Sequence, residues 1–224
     1  MKTIPGGILI AVEGIDGAGK TTLARALAED FRRAGFDVDC SKEPTNGPHG
    51  ARIRASAASG RLDVVEEMRL LLLDRRQHVH EVINPALERG AVVILDRYYP
   101  SSAAYQGAAG VPVAEVLEAN DFAPKPDIVL LLDVSPQTGL ARIHARGDAP
   151  NHFETAKSLD VCREIFRTMP LDNRYTLNAE HDAESVHKAA QYVIKQMLAE
   201  KLVRVCGLNV EAAETMRDCL PALT

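Results

Sequence analysis

Tryptophan is absent from this chain, and aromatic residues make up only 4% of it. No apolar run approaches the ~20 residues of a membrane span. A basic excess is missing as well: 26 Lys and Arg stand against 31 Asp and Glu, a net charge of −5. That balance provides no field for wrapping nucleic acid, so any bound anion must be held by local geometry. The four cysteines, Cys40, Cys162, Cys206 and Cys219, form no CxxC and have no histidine at zinc-finger spacing. They read as small, mostly buried side chains in a reducing compartment. The opening MKTIPGG runs into ILIAVEG, which is too short for the apolar region of a signal peptide. The expectation is a cytoplasmic chain with neither membrane nor nucleic acid as partner.

What is present suits one sizeable α/β domain: 224 residues, 46% of them hydrophobic. Continuous apolar runs at 8–12, 91–95 and 128–132 predict strands covered on both faces, with weaker candidates at 37–41 and 175–177. Helical periodicity falls at about 20–34, 63–83, 113–120, 136–146, 153–168 and 183–201. Asp63 with Glu66 resembles a capping box, and Ser135-Pro136 a cap followed by proline in the first turn. Such alternation predicts a central, mostly parallel sheet flanked by helices. The main domain is expected over 1–201. An appended stretch from Leu202 would carry a short helix near 210–217.

Between the first strand and the first helix lies Gly14-Ile15-Asp16-Gly17-Ala18-Gly19-Lys20-Thr21-Thr22. It fits the phosphate-loop pattern G-x-x-x-x-G-K-S/T in the strand–helix context that pattern requires. The glycines let backbone N–H groups close around a polyphosphate at a helix N-terminus. Lys20 would reach the transferred phosphate, and the Thr21 hydroxyl would ligate Mg²⁺. No N-K-x-D tetrapeptide and no strand ending in D-x-x-G is present, which argues against a switch GTPase.

The run at 91–95 ends in Asp96-Arg97, where parallel sheets place their ligand crevice. Asp96 there can hold a metal-bound water, and Arg97 can clamp a phosphate. Ser101, Ser102, Tyr105 and Gln106 follow, suited to hydroxyl, sugar and base contacts.

In order along the chain come EGIDGAGKTT, KEPT, GARIR, DRRQHV, NPALERG, DRYYPSSAAYQG and KPDIVLLLDVSPQTGLAR. This series resembles the thymidylate kinases over roughly residues 6–200. The resemblance implies a P-loop α/β fold with a short mobile lid at about 142–154, and a homodimer. It also implies ATP as phosphoryl donor, Mg²⁺, and dTMP as acceptor. By position, Asp16 would meet the acceptor's sugar hydroxyl. Glu43 and Pro44 would close one side of its pocket, with Arg54 in the helix beyond. Arg75 would lie over the base or reach its edge, and Arg97 would bridge toward the acceptor phosphate. Ser102 and Gln106 would contact the base, while Tyr105 would sit against the sugar. Arg142 and Arg146 would supply lid cations beside ATP.

Three departures from the family's pattern are present. Lys42 stands where an arginine is usual and loses bidentate capacity. Asn151-His152 replaces an acidic-basic pair in the lid. Leu71 replaces the phenylalanine that stacks on thymine, and such stacking is worth ~1–3 kcal/mol in single-strand binders. Leu71 therefore leaves open a second acceptor such as dUMP or a modified pyrimidine nucleotide. A P-loop binding or regulatory protein without transfer is the reading from another class. In MRLLLLDRRQH, helical spacing puts Leu71, Arg75 and His78 on one face, Met68, Leu72, Val79 and Ile83 on a neighbouring core stripe, and Arg76 in solvent or at a subunit contact.

Overall fold

The structure is a computed structural model and describes residues 1–59, 62–147, 155–204, 207 and 209–218. Five strands form one parallel sheet in the order β2-β3-β1-β4-β5. They are β1 (Ile8–Glu13), β2 (Val38–Lys42), β3 (Val92–Asp96), β4 (Ile128–Asp133) and β5 (Arg174–Asn178). In β1, Ile8, Ile10 and Val12 pack into the larger core, while Leu9 and Ala11 face the smaller one. Val92 and Ile94 against Val93 and Leu95 divide in the same way in β3. Two-sided burial is what the continuous apolar runs require.

The helices are α1 (Lys20–Arg33), α2 (Pro48–Ser59), α3 (Val64–His78), α4 (Asn84–Glu88), α5 (Tyr99–Ala108) and α6 (Val113–Glu118). They continue with α7 (Pro136–Ala145), α8 (Ala156–Thr168), α9 (Ala183–Arg204) and α10 (Val210–Asp218). Asp63 caps α3 by accepting from Glu66 N–H at 2.9 Å, and Ser135 caps α7 through Thr138 N–H at 3.2 Å.

The single helix expected over 63–83 is α-helical only to His78. Residues Val79–Ile83 form a π-helical turn in which Asn84 N–H reaches back to Val79 C=O. Pro85 follows with no N–H to continue the ladder. Helix α5 was not expected at all. Its sequence carries no apolar stripe, because one side faces the site and the other the core. The expected boundary after residue 201 is crossed by α9, in which Leu202 is buried in the main core. Lys201 fastens this end by donating to Gly7 C=O at 2.8 Å and to Asp127 at 2.6 Å. No described helix is long and apolar enough to cross a membrane.

Candidate active site

The strand order places the ends of β1 and β3 side by side, so the loops after them face one another across a single cleft. Gly19 starts α1 with φ 98°, a left-handed conformation natural to glycine. Gly17 is needed for a second reason: a Cβ there would stand 2.1 Å from the carbonyl oxygen of Gly139 in α7. The phosphate loop thus rests directly on the backbone of α7. Gly139, a glycine in the first turn of α7, was a sequence signal for this contact.

Lys20 is buried and donates to Ile15 C=O at 2.7 Å. Burial lowers its pKa to about 8, with the nearby Arg97 acting in the same direction and Asp16, Asp96 and Glu13 opposing. The Thr21 hydroxyl donates to the Asp96 carboxylate. Those two oxygens make a hard, partial ligand set that suits a cation of the Mg²⁺ kind. Among the described residues no cluster of three His, Cys, Asp or Glu side chains could hold a metal. A cation at Thr21 and Asp96 would take its other ligands from phosphate and water.

Across the cleft, Arg97 has φ 73°, a left-handed backbone unusual for a residue with a side chain. Its guanidinium bonds to Asp16 and to Ser101 Oγ at 3.0 Å, and lies 3.3 Å from the Tyr105 hydroxyl. Tyr105 in turn donates to Asp16 at 2.9 Å. Burial works against both charges. Even so, Arg97 and Lys20 hold the Asp16 carboxyl below its usual range, and Tyr105 with the surrounding carboxylates keeps Arg97 firmly protonated. A cavity of about 250 Å³ joins the two sides, lined among others by Asp16, Lys20, Glu43, Arg54, Arg97 and Arg146.

The side away from the phosphate loop is built from polar groups distant in sequence. Arg75 is only 1% exposed and runs its Nε to Glu43 at 2.8 Å, Nη1 to Asn120 at 2.5 Å and Nη2 to Ser102 at 2.9 Å. Glu43 also holds His78 Nδ1 at 2.9 Å, and His78 Nε2 meets Ser41 Oγ at 2.9 Å. Asp74 gathers the next loop by accepting from Thr45 N–H at 2.7 Å and Gly50 N–H at 3.0 Å. Arg54 donates to Pro44 C=O at 2.7 Å and to Thr45 C=O. The buried face of α3 is therefore largely Glu67, Leu70, Asp74, Arg75 and His78. Of the expected core stripe, Val79 and Ile83 are buried, Met68 packs partly against the core and Leu72 is half-buried. Leu70 is buried instead, on the same face as Asp74, Arg75 and His78. Leu71 is half-buried, and Arg76 stacks 3.9 Å over Phe122. Gln106 is fully buried, with both amide atoms lacking a hydrogen-bond partner among the described residues.

The expected lid cations separate. Arg146 lines the cleft, whereas Arg142 reaches His181 C=O at 3.4 Å. Glu180 pins the same turn to α7 by accepting from Ser135 N–H at 2.6 Å and the Thr138 hydroxyl at 2.7 Å. Asn151 and His152 lie outside the described residues. Sequence reasoning passed over Glu13, Asp74, Asn120 and Glu180, all of which act through long-range partners that spacing does not reveal.

A phosphate loop on an all-parallel sheet, facing an Asp96-Arg97 strand end, defines a P-loop phosphotransferase scaffold. The Thymidylate kinase family profile matches residues 12–190. The chain is 56% identical to a thymidylate kinase of Xanthomonas campestris pv. campestris (strain B100), over 99% of this chain and 97% of that protein. A thymidylate kinase of Xanthomonas euvesicatoria pv. vesicatoria (strain 85-10) is 59% identical over 88% of each chain. One of Xylella fastidiosa (strain M12) is 56% identical, over 90% of this chain and 93% of that one. The chain belongs to the thymidylate kinase family and is a phosphotransferase that phosphorylates a nucleoside monophosphate.

Proposed function

We propose that this kinase moves the γ-phosphoryl group of ATP to dTMP by direct in-line transfer, releasing ADP and dTDP. The observation that carries the reading is the Arg97–Asp16–Tyr105 cluster facing Lys20 across one cleft. Two polyphosphate anions must be brought together there, and fixed cations at the junction lower the barrier because they need no reorganisation as charge develops.

In this reading the backbone of Gly14, Ile15, Asp16, Gly17, Ala18 and Gly19 cradles the ATP phosphates, with Lys20, Thr21 and Thr22. Arg142 lies toward the adenosine side, and Arg146 adds charge at the junction. Thr21 and Asp96 hold Mg²⁺, which neutralises charge on the donor phosphates when bound. Arg97 takes the acceptor phosphate, and Asp16 receives the sugar hydroxyl. Tyr105 stands against the sugar. Glu43, Pro44 and Arg54 close the pocket, and Leu71, Arg75, Ser102 and Gln106 surround the base. The unpartnered Gln106 amide supports that placement, since a buried amide needs a partner that a base edge can provide. The chain is proposed to act as a homodimer, which sedimentation of the purified protein tests.

A coupled ADP-release assay over a panel of dNMPs, with Mg²⁺ and with EDTA, is the decisive experiment. Turnover on dTMP about tenfold above other acceptors, and lost with EDTA, is expected. Half-buried Leu71 favours one second reading, dUMP or a modified pyrimidine as acceptor, because one thymine methyl is worth only ~1–3 kcal/mol in an apolar pocket. ATP hydrolysis indifferent to every acceptor would sink both.

A further inference from the structure

Glu13 ends β1 as a fully buried carboxyl group. Its Oε1 accepts Tyr98 N–H at 2.8 Å, and its Oε2 accepts the Ser101 hydroxyl at 2.5 Å. Ser101 Oγ in turn accepts from Arg97 Nη1 at 3.0 Å. Arg97 N–H is fixed separately, to Val12 C=O at 3.1 Å. The residue in the left-handed conformation is thus held on both sides by β1: by a backbone carbonyl at its own N–H, and by Glu13 one and four residues further on. A side-chain-bearing residue in such a conformation costs about 1–3 kcal/mol and persists only where its surroundings over-determine it.

We infer that Glu13 is a positioning residue for phosphoryl transfer. By accepting from Tyr98 and Ser101 it keeps Arg97 turned back over the phosphate loop, with its guanidinium on Asp16. Glu13 itself touches no substrate. Its effect on the reaction passes through Arg97, so that part of the inference rests on Arg97 as the acceptor-phosphate clamp. The chemistry explains why a carboxylate is needed. In the ionised form both Glu13 oxygens serve as acceptors, and the amide of a glutamine can offer only one while directing an N–H₂ group at a donor.

The test is Glu13→Gln in the full chain, with Ser101→Ala as a milder companion that leaves Glu13 in place. Binding of dTMP and of a non-hydrolysable ATP analogue is measured by calorimetry, together with kcat and both KM values. Glu13→Gln should weaken dTMP binding and raise its KM about tenfold while the affinity for the ATP analogue stays within about twofold. Ser101→Ala should shift in the same direction by about threefold, and the double variant should be no weaker than Glu13→Gln alone, since both act on one arginine. Equal weakening of donor and acceptor binding, or fully multiplicative single effects, would overturn the inference. A crystal structure of Glu13→Gln gives a readout independent of activity: Arg97 should leave Asp16 or lose its positive φ. An unchanged Arg97 in that variant sinks the positioning role alone, and a wild-type enzyme that turns over no dNMP sinks the functional reading alone.

Discussion

The phosphate-loop half of the site and the half around Arg75 and Arg97 are built by opposite means. The first is local: a short stretch from Gly14 to Thr22 closes on itself, with Lys20 bonded to Ile15 five positions away. The second is a convergence. Arg75 meets partners 32, 45 and 27 positions distant, and Arg97 meets Asp16 across 81. A local site needs permissive backbone and little else. A convergent one needs every buried charge to find its partner, because an unpaired charge in such surroundings is expensive.

The contrast is open to attack at four points. Arg75→Met should be the most damaging to stability. It leaves the Glu43 carboxylate without its guanidinium in a buried site, and a loss of about 3–5 kcal/mol is expected in urea unfolding. Lys20→Ala should leave folding close to normal and instead lower kcat by about 10²–10³-fold in the ADP-release assay. If Lys20→Ala unfolds the chain while Arg75→Met does not, the distinction between the halves is wrong.

Glu13 provides a pH test. Burial raises its carboxyl to about 7, against the pull of Ser101, Arg97, the Tyr98 N–H and Lys20. The folded form therefore holds a proton that the unfolded chain, with an ordinary carboxyl near 4.5, releases sooner. The associated stability is fully present below the unfolded value and is lost as pH rises through about 7. Relative to Glu13→Gln, the wild type should lose up to about 3 kcal/mol between pH 4.5 and 8. A flat difference in thermal or urea unfolding would contradict this. The smallest effect belongs to Leu71→Phe, which should tighten dTMP binding by about 1 kcal/mol if the ring reaches the base. Unchanged dTMP affinity by calorimetry places residue 71 away from the base.

The same contrast governs what could be read from the sequence. The strands, the phosphate loop, and the caps at Asp63 and Ser135 are local patterns, and each stands where its spacing put it. The Asp96-Arg97 strand end was legible because strand ends are where crevices lie. Beyond this, spacing failed for stated reasons. Helix α5 hides because it is buried on a polar side as well as an apolar one. Arg75 was expected to lie over a base or reach its edge, but its bonds to Asn120 and Glu43, neither of which its neighbours in sequence announce, were not legible. The π turn at Val79–Ile83 breaks the uniform period expected over 63–83, and within α3 the leucines sort as Leu70 inward, Leu71 and Leu72 half out.

The bare contact between Gly17 and Gly139 has one more consequence. With no side chain between them to deform, a displacement of the phosphate loop bears directly on α7, much as one stone bears on another without mortar. Arg146 caps the far end of that helix, about two turns on, and lines the cleft from there. Loop and helix thus form a short lever whose fulcrum is two glycines. Adding a methyl group to either would wedge the lever open, and the cation at its tip would be aimed by the size of that wedge.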